Sequence, residues 1–275
     1  MIAILLATYN SGRFLREQLD SLFNQTFQNW NLYIHDDGSN DDTLEIVGEY
    51  SKKYPNRIYI VVPEKKGLGA YKNFVTILQS VEADYYMFCD HDDVWLPNKI
   101  ELSYARMMAE ECSHKGKPII VHTDMKNVDT NLNVLSDSFW RSARLLPDHV
   151  KFAELVSCNC VNGCTTLFNN LAKKVMLQNV EYGLMHDALL AQSVAANNGI
   201  ISAVKIPLVM YRQHGDNVIG ACDIERTYFK HRAFNIGLTF KREYLLWKRI
   251  KNIQNISLLN FLFTKIKITI LRYYA

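Results

Sequence analysis

The chain has 275 residues, of which 48% are hydrophobic and 21% charged, with a net charge of +3. That is enough to bury a sizeable core in one large domain or two small ones, in an ordinary globular composition. No basic, apolar leader opens the chain and no apolar run approaches the ~18 residues that span a bilayer, so a cytoplasmic protein is expected. The six cysteines then read as free thiols rather than a disulfide framework.

In chain order, Ile2 to Ala7 reads as a buried strand. It is followed by a helix with Phe14, Leu15, Gln18, Leu19, Leu22 and Phe23 on one face, capped by Asn10 or Ser11. Trp30 to His35 is a second strand, and a helix from about Asp41 carries Leu44, Ile46, Val47 and Tyr50 as its apolar positions. Strand Ile58 to Val62, helix Tyr71 to Val81, strand Tyr85 to Cys89, a helix from about Pro97 and strand Ile119 to His122 continue the alternation. Further on lie turns at Asp129-Thr130-Asn131 and Asn162-Gly163, a helix over Asp187 to Ala196 and a strand over Ile200 to Lys205. Such alternation predicts a mostly parallel sheet covered on both faces, with ligands beyond the carboxyl ends of its strands.

Polar clusters follow four of the strands: Thr8-Tyr9-Asn10, Asp36-Asp37-Gly38-Ser39, Asp90-His91-Asp92-Asp93 and Thr123-Asp124. They would converge on one rim. Paired aspartates at a strand end suit a hard divalent cation that keeps positions open for substrate phosphates. The alternative is a solvated loop whose aspartates cap the helix from Pro97, with His91 as a spacer; Asp93 is adequately explained that way. Asp36-Asp37 can accept the imide N–H of a pyrimidine base, while Gly38 to Asp42 read equally as a turn and a cap for the next helix by Asn40 or Asp41. Asp187 is either an N-cap or a base facing the rim from the other side. Tyr211-Arg212-Gln213-His214 sets a cation and an imidazole beside a glycine turn, within reach of a metal or a diphosphate.

Competing motifs are weaker. Gly67-Leu68-Gly69 lacks the third glycine and the preceding strand of a dinucleotide fingerprint. A phosphatase nucleophile box would need an aspartate where His35 stands. Cys158, Cys160 and Cys164 have no second ligand pair at zinc spacing and read as buried thiols.

Residues Met1 to about Ala221 resemble the family 2 glycosyltransferases. The matching pieces are Ala7-Thr8-Tyr9-Asn10, Ser21 to Phe27, Asp36 to Asp41, Asp90-His91-Asp92, Met185-His186-Asp187 and Tyr211 to His214. FCDHDDVWLPNKIE followed by YRQHGDNVIGA is closest to the bacterial branch that builds cell-surface polysaccharides, where many members look like rhamnosyltransferases. The resemblance implies a GT-A nucleotide-diphospho-sugar transferase fold, an α/β architecture with a mixed, mostly parallel central sheet flanked by helices. It implies that Thr8, Tyr9, Asn10, Asp36, Asp37, Asp90 and Arg212 bind the nucleotide sugar, that Asp90, Asp92 and His214 hold Mg2+ or Mn2+, and that Asp187 is the catalytic base. It further implies an inverting transfer of L-rhamnose from dTDP-rhamnose, or of a hexose from a UDP-hexose, to a lipid-linked saccharide acceptor. The processive Gln-x-x-Arg-Trp motif is absent, so one sugar per encounter is expected. A nucleotidyltransferase, a phosphohydrolase or a non-catalytic sugar-nucleotide binder could use the same rim; no nucleic-acid partner is expected.

From Arg226 to Ala275 eleven Lys or Arg face one acid, Glu243, for +10, against −7 for the rest. A boundary near Ala221 is therefore expected, dividing a catalytic domain, 1–221, from a basic, amphipathic helical extension, 222–275. The extension either lies on the anionic inner face of a membrane or packs as a helical pair on the body or on another subunit.

Overall fold

The computed structural model describes residues 1–62, 66–214 and 236–275, the last with backbone only over 236–240. The expected boundary at Ala221 lies outside the described residues. Strands are β1 Ile2–Thr8, β2 Trp30–Asp36, β3 Ile58–Ile60, β4 Tyr85–Cys89, β5 Val94–Trp95, β6 Ile119–Val128, β7 Val134–Ser136, β8 Thr166–Asn169 and β9 Ile200–Arg212. Helices are α1 Gly12–Phe23, α2 Thr43–Lys53, α3 Ala70–Ser80, α4 Lys99–Ser113, α5 Phe139–Ser142, α6 Phe152–Ser157, α7 Asn170–Leu177, α8 His186–Ala196, α9 Ile236–Ile250 and α10 Leu258–Tyr274.

The strands form one sheet in the order β3-β2-β1-β4-β8-β6-β9-β5, with β7 against β6. β1 pairs in parallel with β2 and β4, and β6 with β9, while β8 runs antiparallel between β4 and β6. Every residue of β1 is buried because alternate side chains serve opposite faces. Ile2, Ile4 and Leu6 pack with Leu15, Leu19 and Leu22 of α1 and Ile46 of α2. Ala3, Leu5 and Ala7 pack with Phe74, Ile77 and Leu78 of α3 and Leu189 and Leu190 of α8. Truncating one such central leucine to alanine costs about 2–5 kcal/mol.

Several local expectations change, among them the strand expected to end at Lys205, which runs on as β9 to Arg212. β6 does not end at His122: a register shift at Thr123/Asp124 lets it run on to Val128, and Asp124 accepts hydrogen bonds from Ser138 Oγ and Trp140 N instead of opening onto the rim. Asp93 does not cap α4, whose N-cap is Asn98; its Oδ1 accepts the Arg212 amide at 3.2 Å. Neither Asn10 nor Ser11 caps α1 through its side chain. Asp41 does that work for two helices, accepting Gly12 N through one oxygen and Thr43 N through the other.

The C-terminal pair packs on the body. Ile250 and Phe261 are buried with Phe152 and Val156 of α6, and Arg272 donates to the carbonyls of Arg144 and Ala143. Among the described residues no helix is long and apolar enough to cross a membrane. There Cys89, Cys112, Cys160 and Cys164 are free thiols.

Candidate active site

A cleft of about 810 Å3 opens beyond the carboxyl ends of β1 and β4. It is lined by Thr8, Tyr9 and Asn10, by Asp37, by Asp90, His91 and Asp92, by Asp187 with Met185 and His186, and by His214. Thus eight of the ten residues expected to form the site share one cavity, and Asp36 and Arg212 do not line it.

Asp36 is turned into the loop that follows β2. Its Oδ2 accepts the Gly38 and Ser39 amides and its Oδ1 the hydroxyls of Thr8 and Ser39, so it builds the turn rather than offering a free carboxylate. Asp37, one residue on and facing the other way, reaches the cleft wall. There it accepts Leu68 N and Gly69 N, both at 2.8 Å. Gly69 holds φ at +77°, a backbone region open to glycine, and this lets the loop aim its amide at that carboxylate.

Arg212 is fully buried behind the acidic loop. Its guanidinium donates to Asp92 O at 2.8 Å, Thr130 O at 2.5 Å and Glu17 Oε2 at 2.5 Å, and lies over the Phe14 ring. It is a strut that fixes the backbone of Asp92 against α1. Two residues on, His214 Nε2 lies 2.7 Å from Asp92 Oδ2 and its ring packs 5.1 Å from Phe14. His91, expected to point away as a spacer, instead lines the cleft, where burial lowers its pKa.

Burial, then the charges of Asp92 and Asp187, push the Asp90 carboxyl up to about 7. Asp93, more deeply placed, is raised well above the carboxylate range by burial and by Asp92. Three potential donors, from Asp90, Asp93 and Cys164, lie within 4.8 Å of one another. The Cys164 thiol is held protonated by burial, which leaves the carboxylates as the usable ligands. Carboxylates crowded until one resists ionisation form a donor set that fits a hard divalent cation such as Mg2+ or Mn2+, while the expected ligands Asp92 and His214 stand outside that group of three and are paired with each other. Behind them Lys99 Nζ lies 3.5 Å from the Trp95 ring centroid, and burial lowers its pKa to about 7.

Across the cleft Asp187 stands in the first turn of α8, whose N-cap is Met185. Burial raises its carboxyl to about 6 against the hydrogen bonds it accepts from the amides of Ala188 and Gly163. His186 beside it is buried against Phe74, ring centroids 4.0 Å apart, and its pKa falls to about 3. Gly163 makes that packing possible, since a Cβ there would stand 2.4 Å from His186 Nε2.

Sequence reasoning missed Asn73, a buried α3 residue that lines the cleft and leans towards Thr8 O at 3.4 Å. It also missed Phe139, whose ring meets edge to face, 5.8 Å away at the cleft, that of Tyr211, a residue of the Tyr211 to His214 motif without an assigned role. The one available signal for Asn73 was a polar residue inside an otherwise apolar helix face. Phe139 sits in a stretch without period and gave none.

The chain is 27% identical over 249 residues to the dTDP-rhamnosyl transferase RfbG of Shigella flexneri, covering 87% of this chain and 80% of that protein. It is 25% identical over 203 residues to the UDP-Glc:alpha-D-GlcNAc-diphosphoundecaprenol beta-1,3-glucosyltransferase WfgD of Escherichia coli, covering 73% and 72%. S. aureus TarS 1–349, solved in complex with UDP-GlcNAc, superposes with a TM-score of 0.64 at 16% identity, over 99% of this chain and 72% of that one. That likeness is one of fold, and it is the GT-A fold expected from the sequence. The model of Glycosyl transferase family 2 matches residues 3–175, well over half of the chain, and the protein therefore belongs to that family of glycosyltransferases.

Proposed function

We propose that this glycosyltransferase moves one sugar from a nucleotide-diphosphate donor to a hydroxyl of a lipid-linked saccharide during assembly of a cell-surface polysaccharide, and that the donor is dTDP-L-rhamnose. The observation that carries the reading is the convergence of Asp37, Asp90, Asp92 and Asp187 on one cleft of about 810 Å3 in a family 2 chain. Similarity to the Shigella dTDP-rhamnosyl transferase over 87% of this chain supports the sugar.

In this reading Asp37 keeps acceptor capacity for the imide N–H of the base beyond the two amides it already binds. Tyr9, 55% exposed at the rim, offers a ring face to the base, while Thr8 and Asn10 shape the ribose side. Asp90 and Asp92 would hold Mg2+ or Mn2+, with His214 beside them. When bound, the cation supplies positive charge to the donor diphosphate and to the departing nucleoside diphosphate. Arg212 and His214 keep Asp92 in place.

Asp187 takes the proton of the acceptor hydroxyl. The acceptor oxygen bonds to the anomeric carbon from the face opposite the diphosphate, the bond from that carbon to phosphate oxygen breaks, and its electron pair leaves with the nucleoside diphosphate. Configuration at the anomeric carbon inverts. A carboxyl raised to about 6 is still mostly ionised at neutral pH and is a stronger base than an ordinary aspartate.

A second reading keeps the chemistry and changes the donor to a UDP-hexose. It is favoured by the similarity to the Escherichia coli UDP-Glc-dependent enzyme over 73% of this chain. Titrating dTDP-rhamnose, UDP-glucose and UDP-GlcNAc with and without Mn2+, then incubating the tightest with lipid-linked acceptors, separates the two. Tightest binding and transfer from dTDP-rhamnose is the expected outcome, whereas nucleotide release with no glycosylated acceptor would place the chain among phosphohydrolases.

A further inference from the structure

We propose that the outer face of the α9–α10 pair is a docking surface for an anionic lipid bilayer. α10 is apolar on two sides. Its inner side carries Phe261 and Ile268, both buried. Its outer side carries Leu259, Phe263, Ile266, Ile270 and Tyr274, at the spacing of one helix face. Phe263 is 70% exposed and Leu259 69%, and Tyr274, at the end of the stripe, is 75% exposed. A packed core explains the first side and leaves the second in water.

The charges say what covers it. On α9, Lys241, Arg242 and Lys248 are exposed beside Leu245, and Lys251 follows in the connection to α10. The only acid between Arg226 and Ala275 is Glu243. It is 4% exposed and ion-paired with Lys265 and Arg242, so among the described residues the outer face of the pair presents cations and apolar groups without an exposed acidic side chain. A second copy packed through the same face would bring the same cations and no acid to receive them. An anionic bilayer complements both parts: headgroups meet the lysines and arginines, and the interfacial acyl region receives Phe263 and its neighbours. With 17 residues, α10 lies on a membrane rather than across it.

The pair is also anchored to the catalytic side of the molecule. Arg249 donates to Tyr182 O and Gly183 O, each at 2.6 Å, in the segment that leads into α8 and Asp187. Docking of α9–α10 thus holds that segment close to the bilayer in which a lipid-linked acceptor resides. Bilayer binding itself does not rest on the donor chemistry proposed above.

The test is flotation of the full chain with vesicles of phosphatidylcholine and with equal mixtures of phosphatidylcholine and phosphatidylglycerol. The chain floats with the mixed vesicles, less so at high salt, and stays behind with phosphatidylcholine alone. Phe263→Glu with Ile270→Glu lowers the bound fraction on the order of tenfold, and Lys241→Ala with Arg242→Ala and Lys248→Ala removes the preference for phosphatidylglycerol. Donor affinity and circular dichroism, unchanged in both variants, separate lost docking from lost folding and from any failure of the transfer reaction. A wild-type chain that stays behind with mixed vesicles overturns the proposal. So does one that light scattering finds dimeric and the Phe263→Glu, Ile270→Glu chain monomeric, with no flotation of either.

Discussion

His214 Nε2 stands 2.7 Å from Asp92 Oδ2, across 122 positions of sequence, and so joins the end of β9 to the acidic loop after β4. With Arg212 donating to the carbonyl of the same Asp92, that aspartate is held at both its backbone and its side chain. Removing its charge by Asp92→Asn should lower kcat by ~100- to 1,000-fold, the typical loss when a preorganised electrostatic partner is removed. His214→Ala should cost roughly tenfold, since a held ligand is worth more than a loose one but is not abolished with its holder. Steady-state transfer rates at saturating Mn2+ check both, and His214→Gln should recover part of the loss.

Arg212 and Glu17 predict an asymmetry. Arg212→Ala strands the buried Asp92 carbonyl and the half-buried Thr130 carbonyl and should destabilise the fold by about 2–4 kcal/mol. Glu17 has a half-exposed side chain, and Glu17→Ala should cost less than about 1 kcal/mol. Urea unfolding midpoints of the two variants measure the difference. Equal losses would show that the guanidinium does not serve the acidic loop.

In the proposed reading, Asp90 sets the pH dependence of metal binding. Its carboxyl rises from 3.8 to about 7, and that of Asp187 to about 6, so both protonated forms are favoured by the metal-free fold. Their stabilising contribution is fully present below 3.8 and is lost as pH rises through about 6 and 7. The melting temperature of the EDTA-treated protein should therefore fall between pH 5.5 and 8. A cation must displace the Asp90 proton, so Mn2+ affinity should drop about tenfold per pH unit below 7. The rise in melting temperature on adding Mn2+ should consequently be larger at pH 8 than at pH 5.5, by differential scanning fluorimetry.

Gly163 packs its Cα against the His186 ring, and Gly163→Ala would put a Cβ 2.4 Å from Nε2. The ring is packed between Phe74 and Phe88, which limit its room to give way. Overpacking of this kind costs about 1–3 kcal/mol. Because the neighbouring Asp187 accepts the Gly163 amide, transfer should fall further than donor affinity in the same variant.

Local signals carried much of this architecture. Apolar runs and helical spacing located β1, α1, β2, α3 and β4 within a residue or two, and the rule that ligands sit beyond strand ends brought Thr8, Asp37 and Asp90 to one cavity. The parts that were not legible depend on contacts between distant residues or on which way one side chain turns. Asp36 and Asp37 look alike as letters, yet neighbouring residues on a strand face opposite ways, and one builds the turn while the other reaches the cleft. Arg212 reads as a free cation near a glycine turn until its partners at Glu17, Asp92 and Thr130 are in place. Thr123-Asp124 looked like a strand end because a bulge interrupts the pattern without ending β6.

The central claim is that Asp187 is the base in a sugar transfer run from this cleft. The direct measurement compares Asp187→Asn with the wild type for donor binding by calorimetry and for sugar transfer to a lipid-linked acceptor across pH 5 to 8. Donor affinity should remain within roughly threefold while transfer falls by at least ~1,000-fold, and the wild-type rate should rise through about pH 6 as the carboxyl ionises. Transfer by Asp187→Asn at near the wild-type rate, with the same rise near pH 6, would contradict it.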